Sequence, residues 1–236
     1  MTVYEVPYQL GKRKQLLNPV KLSDKQYKMV KRAFDLSFGI ISLPFLLLPM
    51  ALICVIIRLD SSGPAIFVQE RIGYRNRRFK MYKFRTMRND FNTTKHRSFM
   101  QSFVAGQISA ENDENERAAK FKPIQQKDIT RIGRFLRKTS LDELPQIFNI
   151  LKGDMSLIGP RPNVPWEVEA YKPWHYNRLH TLPGITGLAQ VMGRSDISFD
   201  SIARYDIQYV KNQALHFDLW IIRQTISAVI KGDGAG

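Results

Sequence analysis

The sequence predicts a mixed α/β fold that is mainly helical with little sheet, in which a membrane helix hairpin precedes one folded domain. An uncharged, largely apolar run over residues 36–57 is long enough to span a bilayer. Apolar residues recur at helical spacing over Leu144–Leu151 and again after Asp218. By contrast, Ala65–Gln69 is a short run of the kind that forms a strand. We therefore expect helices to dominate the domain.

The composition limits the classes of partner. The chain has 236 residues, a formal net charge of +15 and an isoelectric point near 10.0. A chain this basic favours anionic partners such as nucleic acid, acidic lipid or phosphorylated substrates. The single cysteine, Cys54, excludes a disulfide within the chain. The sequence lacks a P-loop, a GxGxxG fingerprint and zinc-finger spacings, so binding of ATP, dinucleotides or structural zinc is not indicated.

Residues 1–30 form a basic N-terminal segment without the features of a cleavable signal peptide. Ser23 is a suitable N-cap for a short helix in this segment. The lysines either rest on an anionic membrane surface, at roughly 1 kcal/mol per basic residue near the headgroups, or belong to a solvated tail. Composition alone favours neither interpretation.

Residues 31–60 are predicted to form the membrane hairpin. Pro44 and Pro49 lie inside the apolar run, where a proline costs roughly 3 kcal/mol and kinks a helix. Basic residues flank the run on both sides, which places both ends on the cytoplasmic side by the positive-inside rule. The flanking residues are Lys28, Lys31 and Arg32 before the run and Arg58 and Arg71 after it. A bent, re-entrant hairpin satisfies both observations, and a straight transmembrane helix is the alternative.

Residues 61–231 are predicted to form the folded domain, which begins with a turn at Ser61–Pro64. Between Arg71 and Arg88 there are eight basic residues and no acidic one. Aromatic residues alternate with them, a pattern that suits single-stranded nucleic acid. Because the run follows an apolar membrane segment, we favour a platform for phosphate groups at the level of the lipid headgroups. A solvated charged face is the third interpretation.

Residues 89–127 are polar and weakly patterned, and we predict a variable excursion with one helix over about residues 94–108. An acidic patch at residues 111–116 stands out in this basic chain. A basic helical stretch, Asp128–Lys138, then leads back towards two adjacent carboxylates.

These carboxylates, Asp142 and Glu143, stand at the start of a predicted helix that Gly153 ends. Either Ser140 and Glu143 form a capping box, or Asp142 is the N-cap. We favour the second because it places Pro145 in the first turn, where proline is tolerated. In both cases free backbone N–H groups and the helix dipole favour an ionised carboxylate or a bound phosphate there. Simple capping of a surface helix is the alternative.

Two patterns in the C-terminal part leave membrane interface and core packing both open. Aromatic residues cluster after Pro162, and an apolar helical stripe follows Asp218, a suitable helix cap. The aromatic residues are Trp166, Tyr171, Trp174 and Tyr176, and the stripe comprises Leu219, Ile222, Ile226, Val229 and Ile230. His175 and His180 do not share a helix face, which indicates surface or core histidines rather than a metal site.

Ordered sequence blocks give the chain a family resemblance. From about Lys31 to Lys231 it resembles the bacterial sugar transferases that move a phosphosugar from a nucleotide sugar onto a polyprenol phosphate, the monotopic phosphoglycosyl transferases. That family has a re-entrant membrane helix broken at a Ser-Pro pair, here best matched by Leu48-Pro49, which lacks the serine. The blocks are RIGRFLRKTSLDELPQ (131–146), KGDMS (152–156), GPRP (159–162), QERIG (69–73), YKFRTM (82–87) and PGITGLAQ (183–190).

The resemblance implies roles for the residues at matching positions. Asp142 is expected to attack the sugar-linked phosphate of a UDP-sugar, which releases UMP and forms a covalent aspartyl-phosphosugar. Polyprenol (undecaprenyl) phosphate then accepts the phosphosugar. Glu143 is expected to be catalytic and to bind Mg²⁺, the implied cofactor. The expected substrate-binding residues are Arg137, Arg161 and Arg194, with Lys83 and Arg85 as further candidates.

The resemblance also implies partners and a location. The expected partners are a UDP-sugar, polyprenol phosphate and membrane lipids, with no nucleic acid; a homo-oligomer is left open. We expect the domain at the cytoplasmic face of the bacterial inner membrane, with interfacial helices, at the first membrane step of polysaccharide or glycoconjugate assembly. Two other classes remain distinguishable. A membrane-tethered nucleic-acid-binding module predicts strongly salt-dependent binding, and an envelope scaffold needs no acidic pair.

Overall fold

The structure, a computed structural model, describes residues 23–88, 93–107, 128–193 and 197–231. Helices dominate these residues, and each sheet has two strands, so the mainly helical fold with little sheet is confirmed. The helices are α1 (Asp24–Asp60), α2 (Thr93–Ala105), α3 (Arg131–Lys138), α4 (Ile147–Lys152), α5 (Pro165–Val168), α6 (Leu188–Met192), α7 (Phe199–Lys211) and α8 (Leu215–Lys231). The strands are β1 (Ile66–Ile72), β2 (Arg78–Phe84), β3 (Ser156–Ile158) and β4 (Gly184–Thr186), and 3₁₀ segments lie at Tyr74–Asn76, Leu141–Gln146 and Pro173–His180.

Helix α1 begins at a complete capping box. The Gln26 amide donates to Ser23 Oγ (3.4 Å), and the Ser23 amide donates to Gln26 Oε1 (2.9 Å). The helix then runs to Asp60 through Pro44 and Pro49. The prediction of a separate short helix after Ser23 is therefore wrong, because that helix continues directly into the apolar run. The boundary drawn between residues 30 and 31 falls inside this one helix.

Opposite faces of α1 have different environments. One face packs against the domain, and the other presents large apolar side chains to the outside. The buried residues are Tyr27, Lys31, Asp35, Gly39, Met50 and Ile57, and the exposed ones include Phe34, Phe38, Ile41, Phe45, Leu48, Leu52, Val55 and Leu59. By length and composition α1 could cross a membrane. Its path through a bilayer, re-entrant or spanning, stays a prediction.

The domain holds both ends of α1. Near the N-terminal end, the Arg32 guanidinium donates to the backbone oxygens of Ile150 (2.6 Å) and Leu151 (3.0 Å). Beyond the C-terminal end, Arg85 donates to the backbone oxygens of Ser61 (2.6 Å) and Ser62 (2.8 Å). Carbonyl groups at helix ends lack partners within their own helix, and these arginines supply donors. Both ends of α1 therefore lie against the same domain.

Strands β1 and β2 form an antiparallel hairpin, with Ile72 opposite Arg78 next to the connecting turn. The strand predicted at residues 65–69 is confirmed and extends further along the chain. The basic run that follows forms β2, a second strand that the sequence pattern did not predict. Because alternate residues share one face of a strand, Lys83 lies on the same face as the buried Met81.

Strands β3 and β4 pair in parallel, with Ser156 opposite Gly184. A Cβ atom at Gly159 would lie 2.2 Å from the backbone oxygen of Leu182. Only glycine therefore allows the chain after β3 to pass so close to the segment before β4. This contact fixes the start of the loop that carries Arg161 between Pro160 and Pro162.

Helix α8 directs its predicted apolar stripe outwards. Leu219, Ile226 and Val229 are exposed, whereas Phe217 and Ile221 face the core. Most of the stripe therefore does not pack in the core, and its place at the membrane interface stays a prediction.

Three further expectations for this part of the chain have clear outcomes. Asp218 is not the cap of α8, because the helix begins at Leu215 and Asp218 is buried in its first turn. The aromatic residues divide between core and surface: Tyr171 is buried and Tyr176 is exposed. His175 is buried in the core, as one of the two readings of the histidines predicts.

Helix α2 confirms the helix predicted at about residues 94–108, and α3 confirms the basic helical return to the acidic pair. Residues 1–22 of the N-terminal segment, the rest of the 89–127 excursion and Arg194 lie outside the described residues.

Candidate active site

The acidic pair lies in a 3₁₀ segment rather than at an α-helix cap. Ser140 is in the left-handed conformation (φ 57°), and its side chain makes no capping hydrogen bond. The 3₁₀ segment Leu141–Gln146 follows, and α4 begins only after it. Both capping interpretations are therefore wrong, because Pro145, which lacks an N–H group, sits in these tighter turns. The predicted stop is confirmed, since Gly153 ends α4 at φ 85°.

A buried amide fixes α4 against β2. Asn149 accepts a hydrogen bond from the Tyr82 amide at its Oδ1 (3.1 Å) and donates one from its Nδ2 to the Lys80 carbonyl (2.7 Å). Asn149 is completely buried, so its loss would leave two strand groups without partners in the interior. These two hydrogen bonds hold the strand in the position that places the next residue, Lys83, beside Glu143.

Glu143 is held by two cations. Its Oε1 accepts hydrogen bonds from Lys83 Nζ (2.7 Å) and from Arg161 Nη1 (3.1 Å). Burial raises the pKa of Glu143, but the charges of Arg161 and Lys83 outweigh burial and lower the pKa to about 2. Burial lowers the pKa of Lys83 in turn. Glu143 is therefore an ionised carboxylate at neutral pH, and the structure brings Lys83 and Arg161 together with the acidic pair.

Asp142 has a different environment. Its carboxylate receives no hydrogen bond from the described part of the chain. Burial raises the pKa of Asp142, and the adjacent charge of Glu143 raises it further. Positive charges on Lys83, Arg161 and Arg137 oppose this shift. Asp142 therefore keeps its oxygen lone pairs available while it lies within a field of positive charge.

The other predicted basic residues separate into different roles. Arg137 donates from Nε to Thr86 Oγ1 (3.0 Å), and its positive charge favours the ionised form of Asp142. Burial lowers the pKa of Arg137. Arg85 donates to the chain at the end of α1 instead, so its guanidinium serves the fold in this structure. The substrate-binding role of Arg85 stays a prediction, as does that of Arg194.

Two arginines that were not predicted as site residues hold the segment that carries Arg161. Arg71 Nη1 donates to the Pro162 carbonyl (3.0 Å), and Arg178 Nη2 donates to the Arg161 carbonyl (3.0 Å). Burial lowers the pKa of Arg71 to about 10. The Arg71 partner lies 91 residues away in the sequence, so local spacing contains no signal for the contact.

The site combines two carboxylates with surplus positive charge. Lys83, Arg137 and Arg161 surround Asp142 and Glu143. The Arg161 side chain is 51% exposed, so it can engage a ligand as well as Glu143. A guanidinium can bind a phosphate group through two parallel hydrogen bonds. The arrangement is suited to binding a phosphorylated ligand.

The donor set also fits Mg²⁺ when substrate oxygens are included. Mg²⁺ is usually held by one or two carboxylates together with substrate phosphates and water. Both hydrogen bonds to Glu143 reach Oε1, and the Asp142 carboxylate accepts none from the described residues. The described ranges contain no group of three or more His, Cys, Asp or Glu side chains that could hold a metal. The acidic pair alone would therefore not complete the coordination of Mg²⁺, and water or substrate oxygens would supply the other ligands.

Comparison with known proteins identifies the family of the chain. Residues 26–232 match the model of the bacterial sugar transferase family. The chain is 41% identical over 214 residues to the UDP-galactose-lipid carrier transferase of Erwinia amylovora, covering 91% of this chain and 43% of that protein. It is 39% identical over 217 residues to the undecaprenyl-phosphate galactose phosphotransferase of Salmonella typhimurium, covering 91% and 43%.

A shorter relative matches nearly end to end. The exopolysaccharide production protein ExoY of Rhizobium meliloti is 38% identical over 211 residues, which cover 88% of each chain. The chain therefore spans less than half the length of the first two relatives and most of the third. On the extent of the family match and of these alignments, the chain belongs to the bacterial sugar transferase family.

Proposed function

We propose that this protein transfers a sugar 1-phosphate from a UDP-sugar to polyprenol phosphate, which gives a polyprenyl-diphosphate sugar and UMP. Relatives named as a UDP-galactose-lipid carrier transferase and an undecaprenyl-phosphate galactose phosphotransferase support this reaction class. The observation that carries the proposal is the Asp142 carboxylate, which has no hydrogen-bond donor among the described residues and lies beside three basic side chains. A structural carboxylate would be expected to have donors of its own.

In the first half-reaction Asp142 attacks the sugar-linked phosphorus of the UDP-sugar. A new bond forms between the carboxylate oxygen and phosphorus while the bond from this phosphorus to the bridging oxygen breaks. UMP leaves with that oxygen and its electron pair, and the sugar phosphate remains on Asp142 as a mixed anhydride. Covalent catalysis of this kind divides one difficult transfer into two easier ones.

Positive side chains offset the repulsion between an anionic nucleophile and a diphosphate. Arg161 and Lys83 lie beside the acidic pair through their bonds to Glu143. Fixed positive charges aimed at the reacting phosphate stabilise the transition state without reorganisation during the reaction. Glu143 would hold Mg²⁺ together with the diphosphate oxygens, and the metal would supply further charge neutralisation at the leaving group.

In the second half-reaction an oxygen of polyprenol phosphate attacks the same phosphorus. The bond from phosphorus to Asp142 breaks, and the carboxylate is restored for another cycle. Because the acceptor phosphate lies at the membrane surface, the site must reach the level of the headgroups. The exposed apolar face of α1 supports attachment of the domain to the membrane.

We also propose that α1 enters and leaves the membrane at the cytoplasmic face. Contacts of both helix ends with one domain support this path, as do the basic residues on both sides of the apolar run. Single cysteines at Lys25 and Ser62, each introduced into a Cys54→Ser protein, can be labelled from either side of the membrane. Labelling of both positions from the same side is expected. Labelling from opposite sides would establish a spanning helix and reject the re-entrant path.

The test of the reaction is the covalent adduct. Wild-type protein incubated with the correct UDP-sugar and Mg²⁺, without acceptor, should gain one phosphosugar by intact mass, and peptide mapping should place it on Asp142. Addition of polyprenol phosphate should discharge the adduct. Asp142→Asn should form no adduct, because the amide lacks the anionic oxygen. Turnover should fall by roughly three orders of magnitude or more.

The matched control is Asp24→Asn, which makes the same chemical change at an exposed position in the first turn of α1. It should retain both adduct and turnover. The rival mechanism is direct attack by the lipid phosphate, with Asp142 acting only as a metal ligand. Initial-rate lines that intersect when both substrates are varied, together with substantial turnover by folded Asp142→Asn, would reject the covalent mechanism.

A further inference from the structure

A buried ion pair lies behind the loop that carries Arg161. Arg178 is 2% exposed and Asp206, on α7, is 1% exposed. Arg178 donates from Nε to Asp206 Oδ2 (2.9 Å) and also from Nη2 to the same oxygen. Burying such a pair has a large desolvation cost, and apolar residues of similar volume often stabilise a fold at least as well. This cost indicates that the pair has a role other than stabilising the fold.

The Arg178 guanidinium also forms hydrogen bonds with the residues on both sides of Pro162. Arg178 Nη2 donates to the Arg161 carbonyl (3.0 Å), and Nη1 donates to Asn163 Oδ1. Nη1 also donates to the Tyr171 hydroxyl (2.6 Å), which itself donates to Asn163 Oδ1 (2.8 Å). One planar group, oriented by its bonds to a single carboxylate oxygen, thus fixes the backbone of Arg161 and the side chain of Asn163.

The backbone position of Arg161 decides where its guanidinium can reach. The side chain is long and half exposed, and its described contact is the bond to Glu143 Oε1. Because the side chain is attached to this backbone, a shift of the loop moves the whole range of positions that the guanidinium can reach. The other side of the loop is fixed to β1, where the Ile72 amide donates to the Asn163 carbonyl (2.8 Å). The loop is therefore clamped between β1 and α7.

We propose that Arg178 and Asp206 are positioning residues that set the Arg161 guanidinium against Glu143 and the phosphate of the donor. This inference rests on the proposed function, in which Arg161 neutralises phosphate charge. Arg178 touches no reacting atom in this scheme and acts through the loop. A displacement of about 1 Å in a catalytic group can cost roughly a hundredfold in rate, so the loop position is a sensitive variable.

A double-mutant cycle separates this role from a general structural one. Arg178→Lys keeps the charge but removes the planar fork, and we expect it to lower kcat roughly tenfold to a hundredfold. In an Arg161→Ala background the same substitution should change kcat by less than about twofold, because its target has been removed. Equal fold losses in both backgrounds would overturn the proposal.

The matched control is Asp200→Asn, because Asp200 lies on the same helix and binds Lys172 and His175, neither of which has a described hydrogen bond to the Arg161 loop. It should leave kcat within about twofold of wild type. A loss of kcat as large as that of Arg178→Lys would show that any broken ion pair on α7 has this effect, and would reject the specific role. Tyr171→Phe is a milder variant that removes only a hydroxyl from the clamp and should show a smaller loss with the same dependence on Arg161.

Hydrogen exchange tests the clamp without any transfer assay. In folded Arg178→Lys the Ile72 amide should exchange faster, because its acceptor on Asn163 is released, whereas Asp200→Asn should leave it unchanged. Unchanged exchange in Arg178→Lys and Tyr171→Phe would reject the clamp. If wild-type protein shows no transfer with any UDP-sugar, the proposed function fails, and the exchange result still decides whether Arg178 holds the loop.

Discussion

The carboxylates of Asp218 and Glu143 are both bound by a lysine, but the two regions differ in how completely their charges are satisfied. Asp218 Oδ2 accepts from the Tyr27 hydroxyl (2.8 Å) and from Lys31 Nζ (3.1 Å), and Oδ1 accepts from the Tyr209 hydroxyl (2.7 Å). All four side chains are buried. Each oxygen of the Asp218 carboxylate therefore has a donor.

In the Glu143 region, by comparison, the hydrogen bonds are divided unevenly between the two carboxylates, and the site is partly exposed. Lys83 and Arg161 both bind one oxygen of Glu143, while the adjacent Asp142 receives no hydrogen bond from the described residues. Arg161 is half exposed. The difference indicates that the Asp218 cluster fastens α1 to the domain, whereas the Glu143 region keeps charge available for a ligand. The candidate site is therefore distinguished by carboxylate oxygens that lack hydrogen-bond donors, and not by the presence of an ion pair.

Exchange of the two carboxylates for amides should affect transfer very differently. Glu143→Gln removes the charge that holds Lys83 and Arg161 and weakens the proposed Mg²⁺ ligand, because an amide keeps only one neutral oxygen, and we expect turnover to fall roughly a thousandfold. Asp218→Asn should keep turnover per folded molecule within about threefold, since this cluster touches no residue of the proposed mechanism. Initial rates of UMP release, normalised to folded protein, provide the measurement.

The control for Glu143→Gln is a titration with Mg²⁺ and EDTA. A metal ligand should shift the Mg²⁺ requirement upwards in the variant or abolish activity at all concentrations. Full turnover by wild-type protein after verified metal removal would exclude the metal role and leave Glu143 as a positioning carboxylate.

The free energy of unfolding should rank the two variants the other way, with the larger loss for Asp218→Asn. Asp218→Asn leaves Lys31 buried beside a neutral amide, which should reduce the free energy of unfolding by about 3 kcal/mol. Tyr27→Phe removes one hydrogen bond from the same cluster and should cost about 1 kcal/mol. Denaturant unfolding in detergent, followed by tryptophan fluorescence, would measure both. A smaller loss for Asp218→Asn than for Tyr27→Phe would refute a fastening role for the charge.

Local patterns in the sequence predicted the elements whose geometry is local. The Ser23 cap, the strand after Pro64 and the stop at Gly153 each depend on a few neighbouring residues. The 3₁₀ segment was missed because Ser140 and Pro145 allow several helix starts, and tertiary packing selects one. Strand β2 was missed because its basic composition conceals the alternation of buried residues.

The acidic pair was predicted from its motif, but its surroundings were predicted only in part. Arg161 does reach Glu143, whereas Arg85 serves the end of α1. Arg178 was missed because its partner Asp206 lies 28 residues away. A signal was nevertheless present: Asp206 lies three residues from Tyr209 on the buried face of α7, where an ionisable residue needs a partner.

The basic run also shows why composition alone misleads. Lys83 is bound to Glu143, and Arg85 is bound to backbone oxygens of the residues that follow α1. These two cations are not free to form a continuous surface for a nucleic-acid strand. The arrangement favours the transferase interpretation over the nucleic-acid alternative, although both begin from the same surplus of positive charge.

The smallest expected effect is the change in the free energy of unfolding when Asp142 or Glu143 loses its charge. The sign of this change distinguishes the two residues. Burial raises the pKa of Asp142, so the folded state binds this proton more tightly than the unfolded state. Ionised Asp142 therefore reduces stability at pH values above its unfolded pKa of about 3.9. The pKa of Glu143 is lowered from 4.5 to about 2, so Glu143 contributes stability above pH 4.5 that is lost as the pH falls towards 2.

At pH 7, Asp142→Asn should raise the free energy of unfolding by roughly 0.5–1 kcal/mol, as often happens when a functional charge is removed. Glu143→Gln should lower it, and this loss should shrink between pH 4.5 and pH 2, where wild-type protein also loses the contribution of Glu143. Thermal unfolding midpoints measured across this pH range would compare the variants. If Asp142→Asn lowered the midpoint at pH 7 as Glu143→Gln does, Asp142 would be a stabilising carboxylate with partners of its own. The distinction between a satisfied carboxylate at Asp218 and an available one at Asp142 would then be lost.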